Sequence, residues 1–99
     1  MQPLFDKDGY PAEETLEAIR KWPFADRDGF WKFVEGAWSD YGHVKSIGED
    51  PGNLDHLELV TGGWSGNESI IAAIERNQMI YSMCWQKSER GGYYVYSKK

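Results

Sequence analysis

Apolar residues recur at helical spacing in three stretches of this chain and come close to alternating in four others. In "YPAEETLEAIRKWP" (residues 10–23), Leu16 and Ile19 form a narrow apolar stripe. Pro11 suits the first helical turn, Glu13 and Glu14 sit at the positive end of the helix dipole, and Arg20 and Lys21 sit at the negative end. Pro23 ends the helix at Trp22. In "ADRDGFWKFVEGAWSDYG" (25–42), Phe30, Phe33, Val34, Ala37 and Tyr41 fall on one helical face, with Asp26 or Asp28 as the cap and Gly42 as the stop. Trp31 and Trp38 add an adjacent stripe, so this face is broad enough to cover a sheet, or to leave the Trp31–Trp38 edge for a partner. "NESIIAAIERN" (67–77) is the third helix, with Ile70, Ile71 and Ile74 pointing inward and Asn77 at its end.

Between and after these helices the pattern shortens. "HVKSI" reads as a weak strand, "GEDPGN" as a turn, and "LDHLELVT" as a strand with Leu57 and Leu59 on one face and His56, Glu58 and Val60 on the other. "MIYSMCWQK" places Met79, Tyr81, Met83 and Trp85 opposite Ile80, Ser82 and Cys84, which reads as a central strand with two apolar faces. "SERGG" then makes a hairpin into "GYYVYS". The expected fold is a small single α+β domain over residues 1–99. Two N-terminal helices precede a mostly antiparallel sheet of three or four strands, with a third helix between strands. Parallel pairing of strands 57–61 and 79–86, with helix 66–76 as a right-handed crossover, stays open.

Composition narrows the function classes. The net charge of −5 lies entirely in residues 1–50; residues 51–99 are balanced. No basic footprint marks a binder of nucleic-acid backbone, and the acidic half permits contact with a basic surface. Cys84 is alone, so no internal disulfide forms. No apolar run is long enough to span a membrane, and "MQPLFDKDGY" lacks the basic start and apolar core of a secretion signal, so a cytoplasmic protein is expected. Aromatic residues make up 15% of the chain, more than a small core needs, which directs some rings to the surface or to an interface.

Two motifs carry the candidate chemistry. In "TGGWSGNE" (61–68), Ser65 and Glu68 have capping-box spacing, and Gly63 or Gly66 is expected at positive φ. The free N–H groups of such a turn, residues 62–66, can face an anion, but no P-loop lysine follows and Glu68 is negative. Trp64 is the residue that the turn does not explain, and it suits a partner anchor. In "CWQKSERGGYY" (84–94), Arg90 at the hairpin tip, with Trp85, Tyr93 and Tyr94 around it, can hold a carboxylate or phosphate while the rings stack. Catalysis finds no comparable pattern: Cys84 suits a buried small residue, and His43 and His56 lack metal-ligand spacing. Neither a metal nor a cofactor is expected.

The segments "DGYPAEETLEAIRKW", "FWKFVEGAW" and "LELVTGGWSGNESIIAAIERNQMIYSMCWQKSERGGYYVYS" resemble a family of small proteins of bacteriophage and prophage genomes without assigned activity. The resemblance rests on a GYP-x-E-E opening, the TGGWSGNE turn and a CW-x-x-S-x-RGG-x-Y ending, and it covers the chain apart from about residues 39–56. Ala12 stands where a Thr or Ser cap is common in that family, which weakens the first helix's capping. The resemblance implies a phage gene expressed in a bacterial cytoplasm. The expected function is that of a non-enzymatic accessory protein binding a host or phage protein, including inhibitors of anti-phage defence such as CRISPR effectors. Trp64, Ser65, Asn67, Arg90, Tyr93, Tyr94, Trp31 and Trp38 are the candidate contact residues. The alternatives are a binder of nucleotide-like anions, using the Gly62–Gly66 turn with Arg90, and a virion structural or assembly component.

Overall fold

Helix α1 (Glu13–Lys21) begins in the computed structural model, which describes residues 2–98, just after Pro11. Ala12 caps it without a side-chain hydrogen bond, and the chain turns extended at Trp22 ahead of Pro23. The Thr15 hydroxyl accepts from the Leu4 amide and donates to the Leu4 carbonyl, both at 2.7 Å, tying the N-terminal segment to α1. A 3-10 turn (Phe24–Asp26) leads into α2 (Arg27–Ala37), where the Asp26 carboxylate accepts from the Gly29 amide.

Helix α2 stops at Ala37 rather than at Gly42 because other parts of the chain hold the next two residues. The Trp38 indole donates to the Val60 carbonyl at 3.1 Å, and the Asn67 side chain grips both backbone groups of Ser39. Tyr41 therefore leaves the helical face expected for it and stands 72% exposed.

Strands β1 (His43–Ile47), β2 (His56–Val60), β3 (Trp85–Glu89) and β4 (Tyr93–Ser97) form one antiparallel sheet in the order β1-β2-β4-β3. Helix α3 (Ser65–Arg76) leads into α4 (Gln78–Cys84), and every strand pairing is antiparallel, so the parallel crossover does not occur. This is the expected α+β class, with one more helix than expected.

That extra helix corrects the reading of residues 79–86 as a central strand. Residues 78–84 are helical, and the strand that follows lies at the sheet edge, exposed at every position; β4 is the inner strand. Asn77 decides this. Its side-chain oxygen accepts from the Ile80 amide and starts α4, while its amide donates to the Ile19 and Trp22 carbonyls at the end of α1. Ile80 and Cys84, one turn apart, are then buried, whereas Ser82 between them is exposed. A segment apolar on both strand faces satisfies a helical stripe equally well.

The core lies between the helices and one face of the sheet. Leu57, Leu59 and Tyr96 meet Ile19, Phe30, Val34, Ile70, Ile74 and Ile80 there. Trp31 packs its ring 5.3 Å from Tyr96 and 4.7 Å from Phe30. Among the described residues no helix is long and apolar enough to cross a membrane.

Candidate functional site

The turn between β2 and α3 is built by two glycines and an asparagine. Gly62 and Gly63 both take positive φ, 66° and 76°, and turn the chain out of the sheet, while Gly66 is helical. A Cβ on Gly62 would run into the Tyr41 carbonyl, whereas one on Gly63 would meet open space. Gly63→Ala is thus expected to lose about 1 kcal/mol through backbone strain alone. Gly62→Ala should lose at least about 2 kcal/mol, since it adds a backbone clash to the same strain. Urea denaturation of the two variants checks this order; equal losses would refute it.

Ser65 and Glu68 do not form the expected capping box. Trp64 is the N-cap and offers only its backbone, its carbonyl accepting from the Glu68 amide. With two left-handed glycines ahead of it, the helix starts at Ser65, one residue earlier than a capping box requires. The Ser65 hydroxyl turns instead to the Tyr10 hydroxyl, at 3.4 Å. Gly66 is small for a reason unrelated to φ: a Cβ there would enter the Trp64 ring, which lies against the first turn of α3.

That ring is the centre of an aromatic stack. Trp64 lies 4.9 Å from Tyr10 and 5.3 Å from Tyr41, centroid to centroid. Three distant segments thus contribute one ring each, and both tyrosines are exposed at the surface. Asp40 precedes Tyr41, Glu68 lies in the first turn of α3, and Asp6 and Asp8 sit in the short N-terminal loop that ends at Tyr10. Within that loop the Asp6 carboxylate accepts from the Asp8 and Tyr10 amides. The stack is therefore an amphipathic aromatic surface, with acidic residues close in sequence to each of its rings.

The second motif reaches the same end of the sheet. The Thr61 amide donates to the Gly92 carbonyl at 3.0 Å, and Gly92 packs so closely on the Thr61 hydroxyl that a Cβ would collide with it. The two glycine-rich turns are thus neighbours, and Arg90 is exposed at the hairpin tip. The aromatic cage expected around Arg90 does not form. Tyr93 and Tyr94 are consecutive on β4 and point to opposite faces. Tyr94 packs on the core, its hydroxyl pushed above the ordinary tyrosine range by burial and then by the Glu75 and Glu68 carboxylates. Tyr93 lies under the Lys87 ammonium at 5.4 Å, its hydroxyl raised by desolvation and by Glu58. Trp85 begins β3, away from the tip, where it packs on Tyr81 and donates to Ser88.

Three other candidates belong to the interior. Trp31 and Trp38 are buried in the core, so they do not form a free edge for a partner. Asn67 is fully buried. Its oxygen accepts from the Ser39 amide at 2.9 Å, and its amide donates to the Ser39 and Thr61 carbonyls at 3.3 and 3.2 Å. It holds the segments that carry Tyr41 and Trp64 rather than touching anything outside the protein. Tyr10 and Tyr41 were missed by sequence reasoning; the surplus of aromatic residues was the only signal, because 31 or more residues separate any two of the three segments except 41 and 64.

Chemistry of other kinds has less to draw on. Burial raises the Cys84 thiol above its ordinary range, which disfavours the thiolate. Among the described residues, no three His, Cys, Asp or Glu side chains cluster as metal ligands. A shallow depression of about 360 Å³ on the face of the sheet away from the helices is lined by Ile47, His56, Gln86, Lys87 and Val95. Two of its polar groups are already engaged: His56 Nδ1 lies 2.7 Å from the Asp55 carboxylate, and Lys87 lies 3.2 Å from Glu89.

The chain matches no known protein family, no curated protein and no solved structure.

Proposed function

We propose that this protein is a non-enzymatic interaction module that binds another protein through the Tyr10–Trp64–Tyr41 stack. The observation that carries the reading is the assembly of three rings from separate segments at the surface, with Gly62 and Asn67 holding their backbones in place. Rigid, half-exposed Trp and Tyr side chains bury much area for little lost entropy, and such residues dominate binding energy at interfaces. The neighbouring carboxylates, in a chain of net charge −5, favour a partner surface bearing Lys or Arg. Cations of that kind also pack well on Trp and Tyr faces. Arg90 extends the same end and engages an acidic group at the rim.

The resemblance to phage proteins supplies the setting, a host or phage protein in an infected bacterium, and the finer reading is inhibition of an anti-phage defence. The test begins with affinity capture from infected host cells and proceeds to the purified partner. Trp64→Ala should weaken binding by about 30-fold or more, near 2 kcal/mol, with the melting curve kept close to that of the parent. Raising salt should slow association more than it speeds dissociation. Unchanged affinity for both Trp64→Ala and Tyr41→Ala, in folded variants, would overturn the proposal.

A further inference from the structure

We infer that β3 is a self-association edge, through which a second copy of this chain continues the sheet. All five residues of β3 are exposed, and as an end strand it leaves one row of backbone groups unpaired. An edge lysine usually discourages such pairing, and Lys87 is one. Here its charge is matched within the strand itself. In an antiparallel pair of β3 strands centred on Ser88, Lys87 of one copy stands opposite Glu89 of the other, and Glu89 opposite Lys87. Both contacts join opposite charges, and two-fold symmetry makes one the copy of the other, so a single self-complementary patch supplies two ion pairs. The other end strand, β1, lacks this property in any register, because it carries His43 and Lys45 and no carboxylate. The irregularity in β3 lies between Trp85 and Lys87, so Lys87 to Glu89 remain in regular pairing with β4.

The helix that packs on β3 adds apolar surface at the same place. Helix α4 exposes Met79 and Met83, one turn apart, at 57% and 58%, and Trp85 at the junction with β3 is exposed as well. A two-fold axis normal to the sheet keeps both helical layers on one side of the extended sheet. The α4 helices then flank the junction, and flexible methionines adapt readily to such a contact. β3 ends beside Arg90 at the rim of the aromatic end, but none of the three stacked rings lies on it, so either proposal can fail without the other.

Sedimentation equilibrium on the full chain should show a concentration-dependent dimer. Lys87→Glu and Glu89→Lys, each alone, place like charges opposite one another and should raise the dimer dissociation constant about tenfold. Mixing the two variants in equal amounts should restore association as a heterodimer, because every cross-strand contact is then complementary. That recovery distinguishes contact between chains from the Lys87–Glu89 pair within one chain, which both variants lose. Met79→Ser with Met83→Ser should weaken the dimer independently of charge. A parent chain that stays monomeric at all concentrations, or single variants that do not associate on mixing, would overturn the inference.

Discussion

Replacing Trp31 with alanine is expected to lower stability by about 3–5 kcal/mol, a large part of what a domain of this size holds. Trp31 is 2% exposed and sits between Phe30 and Tyr96, so its removal leaves a cavity where α2 meets the sheet. The midpoint of thermal unfolding should fall by roughly 15 °C or more. Trp31→Phe separates two contributions to that loss. The Trp31 indole N–H is buried and meets no acceptor among the described residues, so losing it removes a desolvated donor along with some packing. Phenylalanine should therefore lower stability by only about 1–2 kcal/mol. Urea denaturation of both variants decides the matter; equal losses would mean that the indole N–H is satisfied. A Trp31→Ala variant that fails to bind a partner would do so by unfolding, whereas Trp64→Ala should fail while folded.

Asn67→Ala is expected to lower stability by about 2–4 kcal/mol, through the loss of three hydrogen bonds at a fully buried position. Asn67→Asp tests the direction of those bonds. A carboxylate still accepts from the Ser39 amide, but it faces the Ser39 and Thr61 carbonyls with no proton to donate. Burial and those oxygens raise its folded-state pKa above the unfolded value of about 3.9. Between these two values the native state binds more protons than the unfolded state, so stability falls as pH rises through that window. The penalty relative to Asn67 is then smallest in acid, where the protonated carboxyl donates to one carbonyl, and fully present above the raised pKa. Asn67→Ala should show a pH-independent penalty against the parent. Measuring both from pH 4 to pH 8 checks the sign; a flat difference for the aspartate variant would refute it. Both variants should also weaken partner binding, because Asn67 joins the segments that carry Tyr41 and Trp64.

Helices α1 and α3 were legible because periodicity, charge and flanking residues agree along their lengths. Leu57 and Leu59 alternate with polar neighbours, and β2 has the inward face that this pattern requires. Residues 79–84 were not legible, since Ile80, Ser82 and Cys84 fit a strand face while Ile80 and Cys84 alone fit a helical one. The buried side chain of Asn77 settles that competition by joining two helix ends across 55 and 58 residues of sequence.

The candidate site divides in the same way. Its components were visible: Trp64, the glycines, Arg90 and the excess of aromatic residues all stand out in the chain. Its membership was not visible. Trp31 and Trp38 look like Trp64 in composition, yet they are buried in the core, and Asn67 looks like a contact residue until its three bonds are seen. Local pattern determined the presence of α1, α2 and α3, the alternation of β2 and the α+β class, because those depend on neighbours within a few residues. Tertiary structure decided where α2 stops, that α4 is a helix, and which aromatic rings remain outside. Those outcomes depend on hydrogen bonds and ring contacts between segments far apart in sequence, whose energies no local spacing encodes.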